Sequence, residues 1–442
     1  MHLLHRSRVS SIAVLGVAGL LACSAGTGSS PGVDGGGGTP GVDGGAGIDG
    51  RPGEPGVDGG TGVDGGGGGP GGLPSASATL VAVGRAHSCA VTTAGAVRCW
   101  GIADAGQLGN GIIDGTSAGL FAKPVQVQGL TSGVTAISSF GNTVCVVVRG
   151  GVKCWGENTS GQLGNNSTNA SAVPVDVSGL SSGWAAVAVG GDHACALSTA
   201  GGVMCWGKND FGQLGNDSTD DRSLVPVQVQ GLSTGVSAIV SGRYHACAAM
   251  SSTGVKCWGG NLYGELGIGD SGSGAHVPGS VSQLTGHASA LGAGDSTSCA
   301  IVSGALQCWG KNADGEIGNG MSGTGVEQHV PAQVTGIASG GSLVSSGYGS
   351  MCAIVSGAAK CWGSNLNYTI GNGQGASYTT TSPVAVTGLG AGVTHLAAAG
   401  STQHACAIKA GAVLCWGTAG AQLGTGDVDT NALSPVSVVS LP

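Results

Sequence analysis

The tripeptide Cys-Trp-Gly recurs seven times, at Cys99-Trp100-Gly101, Cys154-Trp155-Gly156, Cys205-Trp206-Gly207, Cys257-Trp258-Gly259, Cys308-Trp309-Gly310, Cys361-Trp362-Gly363 and Cys415-Trp416-Gly417. Successive tryptophans lie 55, 51, 52, 51, 53 and 54 residues apart. A repeat of this length is one supersecondary unit that buries its apolar face by stacking on its neighbours. No segment carries helical periodicity. The second unit instead reads as four strands. Val134-Thr135-Ala136-Ile137 alternates, Thr143 to Val148 and Val152 to Trp155 flank an Arg149-Gly150 turn, and Pro174-Val175-Asp176-Val177 follows a loop. Proline at the start of the fourth strand suits a sheet edge. A period near fifty in an all-β chain predicts propeller blades of four strands, so residues 76–442 are expected to form a seven-bladed β-propeller. With 41% hydrophobic but only 4% aromatic residues and 92 glycines, its core must be built of small side chains.

The motifs around each tripeptide recur in a fixed order. The third unit reads Gly190-Gly191-Asp192-His193, Val203, Trp206-Gly207-Lys208-Asn209, Gly212-Gln213-Leu214-Gly215 and Pro226-Val227-Gln228-Val229. From about Leu80 to Leu441 this resembles the regulator-of-chromosome-condensation repeat family, whose members form seven-bladed propellers. The sixth unit departs most, with Tyr368-Thr369-Ile370-Gly371 where others read Gly-Gln-Leu-Gly, which leaves one loop open.

Fourteen of the fifteen cysteines fall two per repeat: Cys89/Cys99, Cys145/Cys154, Cys195/Cys205, Cys247/Cys257, Cys299/Cys308, Cys352/Cys361 and Cys406/Cys415. A nine-residue separation with a two-residue turn, or ten with a three-residue loop, sets the two sulfurs opposite each other across one hairpin. That is disulfide geometry. Zinc would need a second nearby pair, which no repeat supplies.

The fifteenth is Cys23. His2, His5, Arg6 and Arg8 precede an apolar run from Ile12 to Ala22, eleven residues long and too short to span a bilayer. Residues 1–22 therefore read as a signal peptide. Leu20-Leu21-Ala22-Cys23 resembles the lipobox of bacterial lipoproteins, which implies lipidation at Cys23 and, with Ser24 after it, outer-membrane or cell-surface display. A plain signal peptide cleaved near the same place is the competing reading. Residues 23–75 form a spacer in which glycine holds every third position from Gly32 through fourteen triplets. With few prolines it reads as a flexible linker rather than a collagen stalk, though a short trimerising stalk stays open. Membrane contact is expected through the anchor alone.

Nothing in the chain points to catalysis, a cofactor or a metal. His87, His193, His245 and His404 stand two residues before the first cysteine of their repeats, where the others have Thr143, Thr297 and Ser350. Those three types share hydrogen bonding rather than basicity, so a structural role is expected. Asp217, Asp220 and Asp221 match no calcium-loop spacing and read as solvated acids. A net charge of −8 argues against nucleic acid. Binding is the better expectation. The residues between the glycine and the His/Thr/Ser position vary: Arg85, Phe140, Asp192, Arg243-Tyr244, Asp295, Tyr348 and Gln403. Aromatics and arginine there match interface hot-spot chemistry. Arg85, Phe140, Arg243, Tyr244 and Tyr348 are the candidate face of a non-catalytic protein-interaction module, with capping of the channel mouth as the alternative role. The fold is also similar to a secreted bacterial propeller that inhibits β-lactamases, which implies inhibition of that enzyme or another cell-wall enzyme as a second possibility. Guanine-nucleotide exchange, the activity of the family's nuclear founder, fits poorly with export and disulfides.

Overall fold

The computed structural model describes residues 77–441, apart from 117, 118, 253, 377, 399–403 and 440. The expected signal peptide (1–22), the anchor Cys23, the spacer (23–75) and Gln403 lie outside the described residues. From residue 77 on, the chain forms seven four-stranded antiparallel sheets, each made of four consecutive strands. The first strand of every blade packs on the first strand of the next, and that of the seventh blade packs on that of the first, which closes the ring. The fourth strand of each unit stays in its own blade. Ala432–Ser437 pairs with Ala412–Gly417 rather than crossing to the first blade.

Strand chemistry follows position. The second strands, such as His193–Ser198, are buried nearly throughout, as expected of strands covered on both faces. Fourth strands are half-exposed edges, and all seven carry a proline: Pro124, Pro174, Pro226, Pro278, Pro331, Pro383 and Pro435. A proline has no N–H to offer a foreign strand, which protects the seven edges from edge-to-edge pairing. The second-blade edge strand runs Ser171–Asp176, so Pro174 lies within it rather than at its start.

All seven cysteine pairs are bonded, each pair directly opposed in register with Cα atoms 4.0–4.1 Å apart. The four pairs nine residues apart span two-residue turns whose first member takes positive φ: Arg149, Ser303, Ser356 and Ala410.

The tryptophans join the blades. All seven are fully buried. Each indole N–H donates to a backbone carbonyl of the preceding blade, not of its own: Trp155 to Gln107 at 2.9 Å, Trp206 to Gln162 at 2.8 Å, Trp309 to Glu265 at 2.9 Å. The last seam is made the same way, with Trp100 donating to Gln422 at 2.9 Å. The glycine two residues after each acceptor has φ between +59° and +71°, and a Cβ there would come within 2.9 Å of the neighbouring indole. The sixth unit keeps this arrangement. Thr369 accepts from Trp416 at 2.9 Å, and Tyr368 takes φ +60° where the first five blades have glycine. Trp184 is partly buried against the core between the second and third blades.

Candidate binding face

In a four-stranded meander the first-to-second turns and the third-to-fourth loops emerge at one end, and the hairpins and blade connections at the other. All three phenylalanines and five tyrosines lie at the first end, in those loops or in the strand residues beside them. Trp184 is the one aromatic residue that starts a strand at the opposite end. Large apolar side chains are exposed on this end face, among them Ile113 (53%), Phe211 (44%), Leu262 (67%), Met321 (48%), Tyr348 (44%) and Leu366 (65%).

Over the first four blades the face sinks into an open depression of about 360 Å³, lined among others by Arg85, Phe140, Glu157, Asp192, Lys208 and Tyr244. A second hollow of about 240 Å³ shares Ser160 and Lys208 with it and runs toward Asp221 and Arg222. One wall is a stacked unit. The Arg243 guanidinium lies 4.8 Å over the Tyr244 ring, whose centroid is 5.2 Å from that of Phe211. Arg243 is held by Asp295 at 3.1 Å. Across the hollow, Lys208 Nζ stands 3.1 Å from Asp210 and 3.9 Å from Asp192. Burial raises the pKa of Glu157, and the neighbouring Asp192 pushes the same way.

The structure therefore brings Arg85, Arg243 and Tyr244 together with Phe140, and sets Tyr348 apart. Arg85 is exposed at the rim. Phe140, expected among the contact residues, is 1% exposed and serves as the floor. The cause is local: the first strand of its blade runs on to Val134–Phe140 before Gly141 turns it, so the ring enters the seam with the third blade. Tyr348 lies on the sixth blade, 5.5 Å from the Lys311 ammonium of the fifth. Burial alone would lower the pKa of Lys311, but Glu316 and Asp314 outweigh it and hold it up at about 12. Phe211, Leu262 and Leu366 were not expected from sequence, because attention to the variable first turns passes over the third-to-fourth loops. Their signal was an apolar residue one or two places after the repeated Asn209, Asn261 or Asn365.

The repeated histidines are interior. His87, His193, His245 and His404 are all 0% exposed, and burial lowers them to about 4, 4, 3 and 3. Three bond a serine of the next blade through Nε2: His87 with Ser139 at 3.0 Å, His245 with Ser298 at 2.8 Å, and His404 with Ser88 at 2.7 Å. Thr143 and Thr297 at the same position donate to Glu157 and Lys311 carbonyls. His193 departs from this pattern. Neither of its ring nitrogens has a hydrogen-bond partner among the described residues. Asp217, Asp220 and Asp221 are exposed, and among the described residues no group of three His, Cys, Asp or Glu could hold a metal ion.

A model of the regulator of chromosome condensation (RCC1) repeat matches residues 149–197 and 200–249, and a second model of that repeat matches 78–107, 184–213 and 236–265. RCC1 repeats are thus matched within the first four blades. The human E3 ubiquitin-protein ligase HERC2 is 31% identical over 255 residues, 55% of this chain and 5% of that protein. The ultraviolet-B receptor UVR8 of Arabidopsis thaliana is 33% identical over 128 residues, 28% of this chain and 29% of that one. The chain thus spans less than a third of either relative. The solved structure of yeast RCC1 (Prp20) with Kap60 bound superposes with a TM-score of 0.64 at 22% identity, over 73% of this chain and 78% of that one. That likeness is one of fold.

Proposed function

We propose that this RCC1-repeat propeller is a non-catalytic, exported binding module that presents its aromatic end face to a protein partner. The observation that carries the reading is the placement of all eight phenylalanines and tyrosines at one end of a chain that is only 4% aromatic. Aromatic and arginine side chains anchor protein interfaces because they bury large areas and still hydrogen-bond. Seven disulfides support an oxidising compartment. The first described residues enter the propeller at its other end. Ser77 accepts from Thr93, and Ala78 donates to Gly411, both at the end opposite the aromatic face.

The test is affinity capture from envelope and secreted fractions, comparing the oxidised full chain with a Phe211→Ala/Tyr244→Ala variant of unchanged thermal stability. A partner held by the first and lost by the second supports the proposal, and identical captures refute the face. Intact mass of the mature chain, with and without Cys23→Ser, tests the anchor separately. An acylated N-terminus that Cys23→Ser abolishes is the expected result.

A further inference from the structure

Charge divides along the propeller axis as the aromatics do. From residue 77 on, sixteen of the seventeen acids lie in the first-to-second turns and third-to-fourth loops, against Arg85, Lys208, Arg222, Arg243 and Lys311 at that end, a net charge of −11, or −10 with Lys123, which lies within the strand Leu120–Gln126. Four of those five, Lys208, Arg222, Arg243 and Lys311, are already in ion pairs with acids of the same face. At or near the other end stand Arg98, Arg149, Lys153, Lys256, Lys360 and Lys409, with the single acid Asp176 bonded to Lys153 at 2.7 Å. The chain's overall −8 conceals this polarity.

We infer that the partner of the aromatic end face is a protein surface rich in lysine and arginine that also offers apolar side chains to Phe211, Leu262, Tyr348 and Leu366. The inference rests on the binding face proposed above and adds the partner's chemistry. Exposed apolar side chains supply short-range contact, while complementary charge selects and steers what arrives. The acids press on one another as well as on solvent. Burial is the largest cause of the raised pKa of Glu157 and of Glu265, and Asp192 and Asp104 add to the first as Asp295 adds to the second. A cationic partner relieves that repulsion, whereas an acidic one adds to it. The chain's own spacer, with six acids and one arginine between residues 23 and 75, is excluded as the occupant on the same ground. A second copy could offer only its basic opposite end, in a head-to-tail stack.

The experiment pans a display library of random peptides against the immobilised, oxidised full chain, then measures the enriched peptides on the chain and on Phe211→Ser/Leu262→Ser. Enriched peptides should carry net positive charge with aromatic or leucine residues. Their dissociation constants should rise at least roughly tenfold between about 50 and about 500 mM salt. They should weaken on Phe211→Ser/Leu262→Ser, and also on the charge-reversed Asp217→Lys/Asp220→Lys chain. Neutral or acidic peptides that still depend on Phe211 and Leu262 would overturn the cationic partner and leave the face standing. Peptides indifferent to both substitutions, or no enrichment, would overturn the face itself. Sedimentation of the free chain at low salt should show a monomer. Salt-sensitive, concentration-dependent stacking would assign the face to a second copy instead.

Discussion

Each buried histidine is kept neutral because the fold leaves no water to solvate its charged form. His395 joins the four repeated ones at about 4, its Nδ1 accepting from the Val81 N–H at 3.3 Å. An unfolded chain protonates all five near pH 6.5, so below that pH it binds more protons than the native state, and stability falls as pH drops. Glu265 runs the other way. Burial raises it to about 7, with Asp295 adding to the effect, so its contribution to stability is lost as pH rises from 4.5 through 7. Between pH 7 and 5 the two effects partly cancel. Below about pH 4.5 Glu265 is protonated in both states and no longer offsets the histidines. Five groups titrate against one, so calorimetric scans should show a melting temperature that falls steadily from about pH 6.5 to about pH 4. A level curve down to pH 3 would contradict the burial argument. Glu265 also stands where three other blades have Gln107, Gln162 and Gln213, whose side-chain oxygens accept the same loop N–H. Glu265→Gln keeps that bond and removes the charge. It should stabilise the fold by about 1–3 kcal/mol at pH 8 and hardly at all at pH 5.

At the scale of the hairpin, the disulfide and the turn specify the same register. Cys195 opposes Cys205, and the loop between them is the three-residue kind that a ten-residue separation needs. Each bridge closes a short ring in the unfolded chain, so replacing Cys195 and Cys205 by serine should cost about 2–3 kcal/mol in denaturant titration. The blade should still form, because its tryptophan bond to Gln162 and its packing remain. A variant as stable as the parent would mean that the ring constrains little. This level was the most legible in sequence, since period-two alternation, glycine turns and cysteine spacing are all local. Phe140 shows where legibility ends. One extra residue of strand before Gly141 turns an expected contact side chain into a floor, and no local pattern announces it. The indole bonds were likewise hidden, because tryptophan and acceptor lie 44 to 48 residues apart along the ring, and 322 at the closing seam.

For the whole ring, closure depends on seven like seams rather than on a clasp. No strand is exchanged between the first and last blades, and the Trp100–Gln422 bond repeats what the other six seams do. Leu441 and Ala78 lie in one buried cluster, so the two ends of the described chain meet at the seam. Where the chain is cut should then matter little, provided every blade stays complete. A permutant that joins the old ends through a flexible linker and opens between Thr131 and Ser132, in an exposed blade connection, should keep all seven disulfides. It should melt within about 5 °C of the parent. Removing one whole blade, residues 184–235, tests the same idea from the other side. Six blades would leave the Gln162 carbonyl and Leu163 without Trp206 on one side, and the Trp258 indole without the Gln213 carbonyl on the other. That chain should aggregate or refold with mixed disulfides. If instead it closes into a stable six-bladed ring, the seams are more plastic than their shared glycine-on-indole packing implies.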